Sequence, residues 1–526
     1  MTNMKKTFTL FLLLLGVYTL CGAQQDYNDL SQMEGQSCTS IMVGRNATPD
    51  GSVINSHICD GRYRTWVSIE PAEDHPAGTM HKVYRGTMHT AYKGDTTGLK
   101  LVGQIPEAPH TYKYLNAAYP CMNEHQLVIG ETTFSGPDTL VNEKGMFMIE
   151  ELERIALQRC TTAREAIRLI GSLIKQYGYG DGGECITIAD PKEVWQMEIC
   201  GEGPAKIGGV WAAQRVPDDE VGVSANIPRI GKLQRGNPDY FMCSDNCEQV
   251  AKKYKLWDGK SEFKFWKAFN SSYGNGKNHR EREWFILNEL APSLHLTLDQ
   301  EELPFSVKPD ANVDVEKVIA LFRATYEGTD LDMCKNVKAP VRHKNEDGKM
   351  VVDTMVSPVA NPWIGGNMTA MLNYIAPGTI ESRRTVAVAW CSYSWVAQLR
   401  GWMPEEVGTV LWFSFDNPAQ SPRIPIFSGN TRLPKSFGLC GHKGFNEEAA
   451  IWKFRKANKL ATVAWQRTKE SMNKALREQE AKAMKNLPTV KDVETLNMYT
   501  LKVFDEEAAA WRTLENKYWE LFGMGF

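Results

Sequence analysis

The sequence predicts an α+β protein in which mainly antiparallel strands come first and helices close the chain. Three observations support this fold class. Short runs rich in β-forming residues, separated by turn residues, extend from Ser40 to Phe413. Thr162 and Glu165 form a capping box at the start of an amphipathic helix. From about Asn446 onward, apolar residues recur with helical spacing.

The first two strands form a predicted hairpin whose turn centres on Pro49 and Asp50. In that register Cys38 pairs with Gly61, and Asp60 lies one position away. A carboxylate placed there can hold and orient an amino group on Cys38. The spacing therefore brings Cys38 and Asp60 together at one end of a sheet.

Further strands are predicted along the chain, and their hairpin-like spacing indicates antiparallel sheet. The helix after the capping box places Ile167, Ile170 and Ile174 on one face. Leu487-Pro488 divides the C-terminal helical segment, because proline cannot continue a helix. The apolar stripes of that segment are expected to pack on the main core. The predicted strands are residues 126–133, 185–189, 194–199, 221–227, 385–389 and 409–413.

The composition is that of an ordinary globular protein. Of the 526 residues, 42% are hydrophobic and 23% are charged, and 60 basic against 63 acidic residues give a net charge of −3. Neither half of the chain is strongly basic, so nucleic acid is not an expected partner.

The N-terminus has the three-part pattern of a secretory signal peptide. Two lysines precede the apolar residues 8–20, and residues 21–23 offer small side chains at a cleavage site. We therefore expect residues 1–23 to be removed, and the protein to be secreted or periplasmic and free of the membrane afterwards. A lipid anchor on Cys21 is the less favoured alternative, because Leu20 is bulky for such a site. Twelve cysteines are present, so loss of Cys21 leaves an odd number, which indicates a free reactive thiol in an exported protein.

Cys38 stands between a short polar prosegment, residues 24–37, and the first strand. A cut between Ser37 and Cys38 gives Cys38 a free α-amine with an ordinary pKa of roughly 7.7–8.0. That amine can act as the base that activates the residue's own thiol. A buried cysteine at the start of a strand is the alternative interpretation. His57 and Cys59 are the neighbouring candidates for a separate base and nucleophile.

Several segments in order resemble one known family. The chain is similar to dipeptidases of the PepD type, which are N-terminal-nucleophile cysteine hydrolases related to choloylglycine and penicillin acylases. Cys38-Thr-Ser-Ile-Met-Val-Gly44 resembles the mature start of those enzymes, and Ile129-Gly-Glu131-Thr-Thr133 continues the likeness. The other matching segments are residues 50–52, 116–125, 162–167, 184–191, 223–226, 382–385 and 396–400.

The resemblance implies a four-layer αββα sandwich and the cleavage of dipeptides or short peptides through a thioester. By position it makes Cys38 the nucleophile, Asp60 the carboxylate near the new amine and Asn226 a donor to the tetrahedral oxyanion. Thr133 and Arg280 are candidates for further polar groups of the site. His57 stands close to where the wider superfamily often has an arginine. Neither a cofactor nor a metal is implied, and a homo-oligomer is compatible with the resemblance.

The helical pattern from about Asn446, together with the resemblance, divides the chain, and alternatives for its function stay open. Residues 38–445 are expected to form the hydrolase domain, and residues 446–526 a helical extension packed on it. A related amidase, acting on bile-salt conjugates or penicillins, would keep the same nucleophile. An exported binding protein with the same fold and no activity is the alternative from another class.

Overall fold

The computed structural model describes residues 37–270 and 277–523, and the predicted signal peptide with residues 24–36 lies outside them. The strands of the described residues lie between Ser37 and Phe427. In chain order they are β1 Ser37–Val43, β2 Val53–Asp60, β3 Ser68–Glu70, β4 Glu73–Asp74, β5 Met80–Arg85, β6 Lys100–Pro106, β7 His110–Thr111, β8 Tyr114–Asn116, β9 Met122–Asn123, β10 Val128–Thr133, β11 Gly183–Asp190, β12 Glu193–Gly201, β13 Gly209–Arg215, β14 Val221–Ser224, β15 Phe241–Cys243, β16 Ser306–Val307, β17 Lys338–Lys344, β18 Met350–Val356, β19 Cys391–Leu399, β20 Thr409–Phe415 and β21 Ile424–Phe427.

Helices lie between the strands and dominate the C-terminal part of the chain. In the described residues, no helix is both long and apolar enough to cross a membrane. The helices are α1 Ile149–Arg159, α2 Ala163–Tyr177, α3 Cys247–Lys253, α4 Phe265–Phe269, α5 Lys277–Leu290, α6 Val315–Phe322, α7 Gly366–Ile375, α8 Glu405–Gly408, α9 Ala450–Val463, α10 Trp465–Lys485 and α11 Val493–Phe522.

Two large antiparallel sheets organise the described residues. The first sheet has the order β16-β14-β1-β2-β19-β20-β21, and the second has the order β15-β13-β12-β11-β10-β9-β8-β3. Small two-stranded sheets, β17–β18, β4–β7 and β5–β6, complete the pairing. The structure thus confirms the predicted mixture of antiparallel sheets with C-terminal helices.

The two large sheets pack face to face through their central strands. Strands β1, β2, β11 and β12 are buried along their whole length. The Nδ2 of Asn55 on β2 donates to the carbonyl oxygen of Thr187 on β11 at 3.1 Å. Gly130 on β10 permits this close approach, since a Cβ there would lie 2.8 Å from Thr187 Oγ1 and 3.2 Å from the Trp395 ring. Strand β1, beside β2 in the first sheet, is therefore buried against β10 of the second sheet.

Helix packing follows the apolar patterns of the sequence. The capping box of α2 is present, with Thr162 Oγ1 accepting from the Glu165 backbone N–H at 3.3 Å. The stripe Ile167, Ile170 and Ile174 is buried. At the C-terminus, α10 ends at Lys485, next to the predicted break at Leu487-Pro488. An additional break at Ala464 separates α9 from α10 and was not predicted.

The strand predicted at residues 385–389 is wrong. That segment is irregular, because side chains and distant backbone groups take its hydrogen bonds. The Ala387 N–H donates to the Ala324 carbonyl at 3.1 Å, and Trp363 Nε1 donates to the Ala387 carbonyl at 2.8 Å. The strand forms directly afterwards, as β19, and pairs with β2 and β20.

The predicted register of the first hairpin is also wrong, by two positions. Cys38 pairs with Cys59, and Ser37 pairs with Asp60. The connection is a wider loop than a turn centred on Pro49 and Asp50, because Thr48 Oγ1 donates to the Ser52 carbonyl at 2.8 Å and closes it. A shift by two positions keeps every side chain on its predicted face. Asp60 therefore still lies one position from the residue opposite Cys38.

Candidate active site

Cys38 is held by contacts at three of its atoms. Its side chain is 1% exposed. The backbone N–H donates to Asn226 Oδ1 at 2.9 Å, and the thiol donates to Glu131 Oε2 at 3.2 Å. The Cys38 carbonyl accepts from Arg282 Nη1 at 2.5 Å. Burial and the nearby Glu131 carboxyl raise the pKa of the Cys38 thiol well above its usual value while Ser37 remains attached.

Asn226 lies two residues beyond β14, which ends at Ser224 and not at the predicted residue 227. Its φ is 63°, in the left-handed region that asparagine tolerates better than most residues. This backbone turn brings the side chain to Cys38. Asn226 Nδ2 donates to the Thr133 carbonyl at 2.5 Å. An amide nitrogen has two hydrogens, so one is left for another acceptor.

Asp60 ends β2 and reaches Cys38 through other residues. Its carboxylate forms a buried ion pair with Arg384, and Arg384 Nε donates to Ser37 Oγ at 2.9 Å. Ser37 Oγ lies 3.5 Å from Asp60 Oδ2. Burial raises the pKa of Asp60, and the guanidinium groups of Arg384 and Arg282 act against that rise. The structure therefore places Asp60 beside Ser37, the residue that precedes the proposed cut.

The arginine that contacts Cys38 is Arg282, not the candidate Arg280. Arg282 is buried on α5, and besides the Cys38 carbonyl it contacts Thr39 Oγ1 at 2.8 Å and Asn226 Oδ1 at 2.9 Å. Burial and the nearby Arg384 lower its pKa to about 9. Arg280 instead donates from Nε to the Leu298 carbonyl at 2.7 Å. Residues two positions apart in a helix differ by about 200° around its axis, so only one of the two arginine side chains can face the sheet.

His57 has no free basic nitrogen to act as a base toward Cys38. Its Nδ1 accepts the Glu131 backbone N–H at 3.3 Å, so the neutral ring carries its proton on Nε2. Burial lowers the pKa of His57 to about 3. The ring is surrounded by Tyr119, Tyr393 and Trp395, with centroid distances of 5.8–6.0 Å. The cation that stands beside Asp60 comes from Arg384 and not from the position of His57.

Cys38, His57 and Glu131 each place one potential metal-ligand atom within 4.8 Å of the others. A metal ion bound through His57 needs a ring nitrogen free of its proton. Nδ1 already accepts a hydrogen bond, and Nε2 carries the proton in that tautomer. The three side chains therefore do not form a ready metal site.

Glu131 and Glu184 are buried acids that sequence reasoning left without a role. Glu131 lies within a matched segment, and its Oε1 accepts from the Thr133 hydroxyl at 2.7 Å. Burial raises the pKa of Glu131, and burial together with the nearby Glu131 raises that of Glu184 well above its usual value. A carboxyl at an inward-facing strand position was the signal available in the sequence.

Comparison with known proteins places the chain in a family. A probable dipeptidase of Latilactobacillus sakei is 23% identical over 402 residues, which cover 76% of this chain and 75% of that protein. A probable dipeptidase B of Streptococcus pyogenes serotype M1 is 22% identical over 454 residues, covering 82% and 80%. A probable dipeptidase B of Lactococcus lactis subsp. lactis strain IL1403 is 28% identical over 415 residues, covering 76% of each chain.

The family model described as Peptidase family C69 matches residues 37–478, which are most of the chain and begin one residue before Cys38. This match confirms the family resemblance found in the sequence. The chain belongs to peptidase family C69.

Proposed function

We propose that this protein is a cysteine dipeptidase in which Cys38, freed at its N-terminus, attacks the peptide bond of dipeptides or short peptides. The observation that carries the proposal is the geometry at Cys38. Both its backbone nitrogen and its carbonyl are hydrogen-bonded to buried polar side chains, which leaves the residue fixed where a new N-terminus would form. Membership of the peptidase family and the dipeptidase names of its relatives support the substrate class.

The proposed reaction uses the α-amine of Cys38 as its base. The neutral amine takes the thiol proton, and the thiolate attacks the scissile carbonyl carbon. The free hydrogen on Asn226 Nδ2 stabilises the oxyanion, a contribution worth about 10²–10³ in rate. The ammonium then protonates the leaving amino group as the C–N bond breaks. The resulting thioester is hydrolysed by water that the same amine activates, and the thiol is restored.

The neighbouring residues position this machinery. Arg282 fixes the Cys38 carbonyl and Asn226 Oδ1 together. Ser37 is 7% exposed and contacts the Asp60–Arg384 ion pair. Removal of Ser37 would leave that pair next to the new amino group, where Asp60 favours its ammonium form during the proton transfers.

We also propose a specific layer arrangement for the fold and export of the protein. The two packed sheets with helices against them support a four-layer αββα sandwich of the N-terminal-nucleophile type, with a helical extension at the C-terminus. Export through an N-terminal signal peptide rests on the sequence pattern of residues 1–23, which lie outside the described residues. Lipid attachment at Cys21 remains the less favoured alternative.

The relatives' names favour a dipeptidase over an acylase, and the intact Cys38 with its polar contacts favours an enzyme over an inactive binding protein. The test is a substrate panel of dipeptides, N-acyl dipeptides, a bile-salt amide and a penicillin, offered to protein whose N-terminal residue has been sequenced. We expect dipeptides to be cut fastest by protein that begins at Cys38. Faster cleavage of the bile-salt amide or the penicillin would replace this proposal by the acylase alternative. Full activity in protein that still begins upstream of Cys38 would contradict the amine-as-base mechanism.

A further inference from the structure

A buried pair of acids lies directly beside the nucleophile. Glu131 on β10 and Glu184 on β11 project from the same face of the second sheet, because Glu131 pairs with Ile186, two positions from Glu184. Glu131 Oε2 lies 3.2 Å from Cys38 Sγ. Glu184 is 2% exposed, and its Oε2 has no hydrogen-bond partner among the residues that the structure describes. The pair therefore places one carboxyl oxygen, from Glu131, at the reacting sulfur and has an unpartnered oxygen on the neighbouring Glu184.

The proposed mechanism assigns no role to Glu131 or Glu184, and a negative charge on them opposes formation of the Cys38 thiolate. A carboxylate beside a thiolate raises the free energy of the thiolate. The two arginines of the site are engaged elsewhere, since Arg282 contacts the Cys38 carbonyl and Arg384 pairs with Asp60. Within residues 37–270 and 277–523, neither Glu131 nor Glu184 takes part in an ion pair. A cation supplied by the substrate would remove this unfavourable interaction.

A dipeptide brings its own cation to this place. Its amino nitrogen is two bonds from the scissile carbonyl carbon, about 2.5 Å away. The thiolate attacks that carbon from about 3–3.5 Å. The amino nitrogen therefore lies no more than about 6 Å from Cys38 Sγ, the atom that Glu131 Oε2 contacts at 3.2 Å.

We propose that Glu131, supported by Glu184, binds the α-ammonium of the substrate's first residue and so restricts cleavage to peptides with a free amino terminus. This inference rests on the proposed dipeptidase function and assigns its amino-terminal specificity to named residues. It adds to the nucleophile, the base and the oxyanion donor a group that recognises the substrate by charge.

The charge of the pair matches one ammonium. Burial and the nearby Glu131 raise the pKa of Glu184 well above its usual value, so the two carboxyl groups share one proton, and the Thr133 hydroxyl donates to Glu131 Oε1 at 2.7 Å. The pair then carries a single negative charge. Binding of the ammonium neutralises this charge and makes the Cys38 thiolate less costly at the moment of attack. An N-acylated peptide brings a neutral amide, which leaves the charge uncompensated.

The test compares alanyl-alanine with propionyl-alanine, its des-amino analogue, or the corresponding pair for the dipeptide that wild type cuts fastest. For wild type we expect kcat/KM to be at least about 100-fold higher for the dipeptide. Glu131→Gln should lower kcat/KM for the dipeptide at least about 100-fold and leave that for the analogue within about threefold. Glu153→Gln is the matched control, because Glu153 is a buried acid on α1 without a hydrogen bond to Cys38. This control should keep the wild-type preference.

The rate at which iodoacetamide alkylates Cys38 in the mature protein separates substrate binding from thiol activation. Loss of the Glu131 charge lowers the pKa of the thiol, so Glu131→Gln should be alkylated faster than wild type although it cuts dipeptides more slowly. Slower alkylation would make Glu131 a proton acceptor for the thiol and overturn the inference. If Glu131→Gln fails to fold, Glu184→Ala, which removes the acid that supports Glu131, gives the same comparison, with an expected loss for the dipeptide of about tenfold.

Failure of this inference and failure of the proposed function give different results. A wild-type enzyme that cuts the dipeptide and its des-amino analogue equally well keeps the peptidase activity but has no ammonium site. Equal losses for both substrates in Glu131→Gln would also overturn the ammonium site. A wild-type enzyme that cuts no dipeptide contradicts the proposed function itself.

Discussion

Arg282 donates to the carbonyl oxygen of Cys38 at 2.5 Å and to the Oδ1 of Asn226 at 2.9 Å. Asn226 Oδ1 in turn accepts the backbone N–H of Cys38 at 2.9 Å. One guanidinium thus joins helix α5, strand β1 and Asn226, two residues beyond β14. Because the three groups form a closed set of hydrogen bonds, a displacement of any one of them moves Cys38, the proposed nucleophile.

Arg282→Lys should therefore lower kcat at least about tenfold, because a lysine cannot contact these acceptors together in the planar geometry of a guanidinium. The unfilled buried acceptors should also reduce the free energy of unfolding by about 2 kcal/mol. Steady-state kinetics and chemical denaturation measure the two effects. Arg280→Lys is the matched control on the same helix, and it should stay within about threefold of wild-type kcat. Equal effects at both positions would show that Arg282 has no special relation to Cys38.

Asn226→Asp should lower kcat by about 10²–10³ with a much smaller change in KM, because the oxyanion loses its donor while the shape of the side chain is kept. Asn226→Gly separates the side chain from the backbone, since glycine adopts the φ of 63° without strain. The glycine variant should fold and show a similar loss of kcat. Kinetics with one dipeptide at several concentrations decide the outcome. A change confined to KM would remove Asn226 from the stabilisation of charge.

Local patterns in the sequence predicted the elements better than their connections. The capping box at Thr162 and the β runs of β11 and β12 depend on neighbouring residues, and they are present. The register of the first hairpin depends on a loop that the Thr48 hydroxyl closes. The sequence rules for short turns do not predict such a loop. The segment around Ala387 has strand-like composition, but distant groups from Ala324 and Trp363 occupy its hydrogen bonds.

In the candidate site, too, local patterns identified single residues but not the contacts between distant ones. Cys38 could be identified from its position at the boundary of a polar segment and a strand. The partner of Asp60 could not, because Arg384 is 324 residues away in the chain. Whether Arg280 or Arg282 faces Cys38 depends on the rotation of α5 about its axis, which packing against β14 decides. The acids at positions 131 and 184 become neighbours only once β10 and β11 are paired.

Two adjacent acids on α1 should show opposite dependences of stability on pH. Burial raises the pKa of Glu150 to about 8, while its ordinary value is 4.5. Between these values the folded protein keeps a proton that the unfolded chain loses, so this group makes stability fall as pH rises. Glu150→Gln should therefore be more stable than wild type at pH 8, by up to about 4 kcal/mol. Near pH 4 the two proteins should be equally stable.

Glu151 is the comparison for that measurement. Arg154 and His81 hold the pKa of Glu151 below its usual value despite burial. Its stabilising effect is present above the unfolded pKa and is lost as pH falls through the folded pKa. Glu151→Gln should accordingly be less stable than wild type at pH 8, by about 3 kcal/mol, with a smaller difference at low pH. Denaturation of the three proteins at pH 4, 6 and 8 tests both signs, and parallel curves would contradict them.

Maturation should depend on the Cys38 thiol, the proposed nucleophile. While Ser37 is attached, the Cys38 nitrogen is an amide without a basic lone pair, so the proposed base is absent. Cys38→Ala should fold and lose all dipeptide hydrolysis, since the thiolate is the attacking species. Cys59→Ala is the matched control, because Cys59 is the buried residue directly opposite on β2. We expect it to retain activity within about tenfold of wild type.

Intact-mass measurement and N-terminal sequencing of these variants decide how the cut before Cys38 is made. If Cys38 Sγ attacks the Ser37 carbonyl, Cys38→Ala keeps the residues before position 38, while Cys59→Ala loses them as wild type does. If another protease makes the cut, both variants begin at position 38. The removed segment is polar, and Ser37 contributes to the described core mainly its contacts with Arg384 and Asp60. Near-normal dipeptide turnover by Cys38→Ala would contradict the central assignment and direct the search for a nucleophile to Cys59.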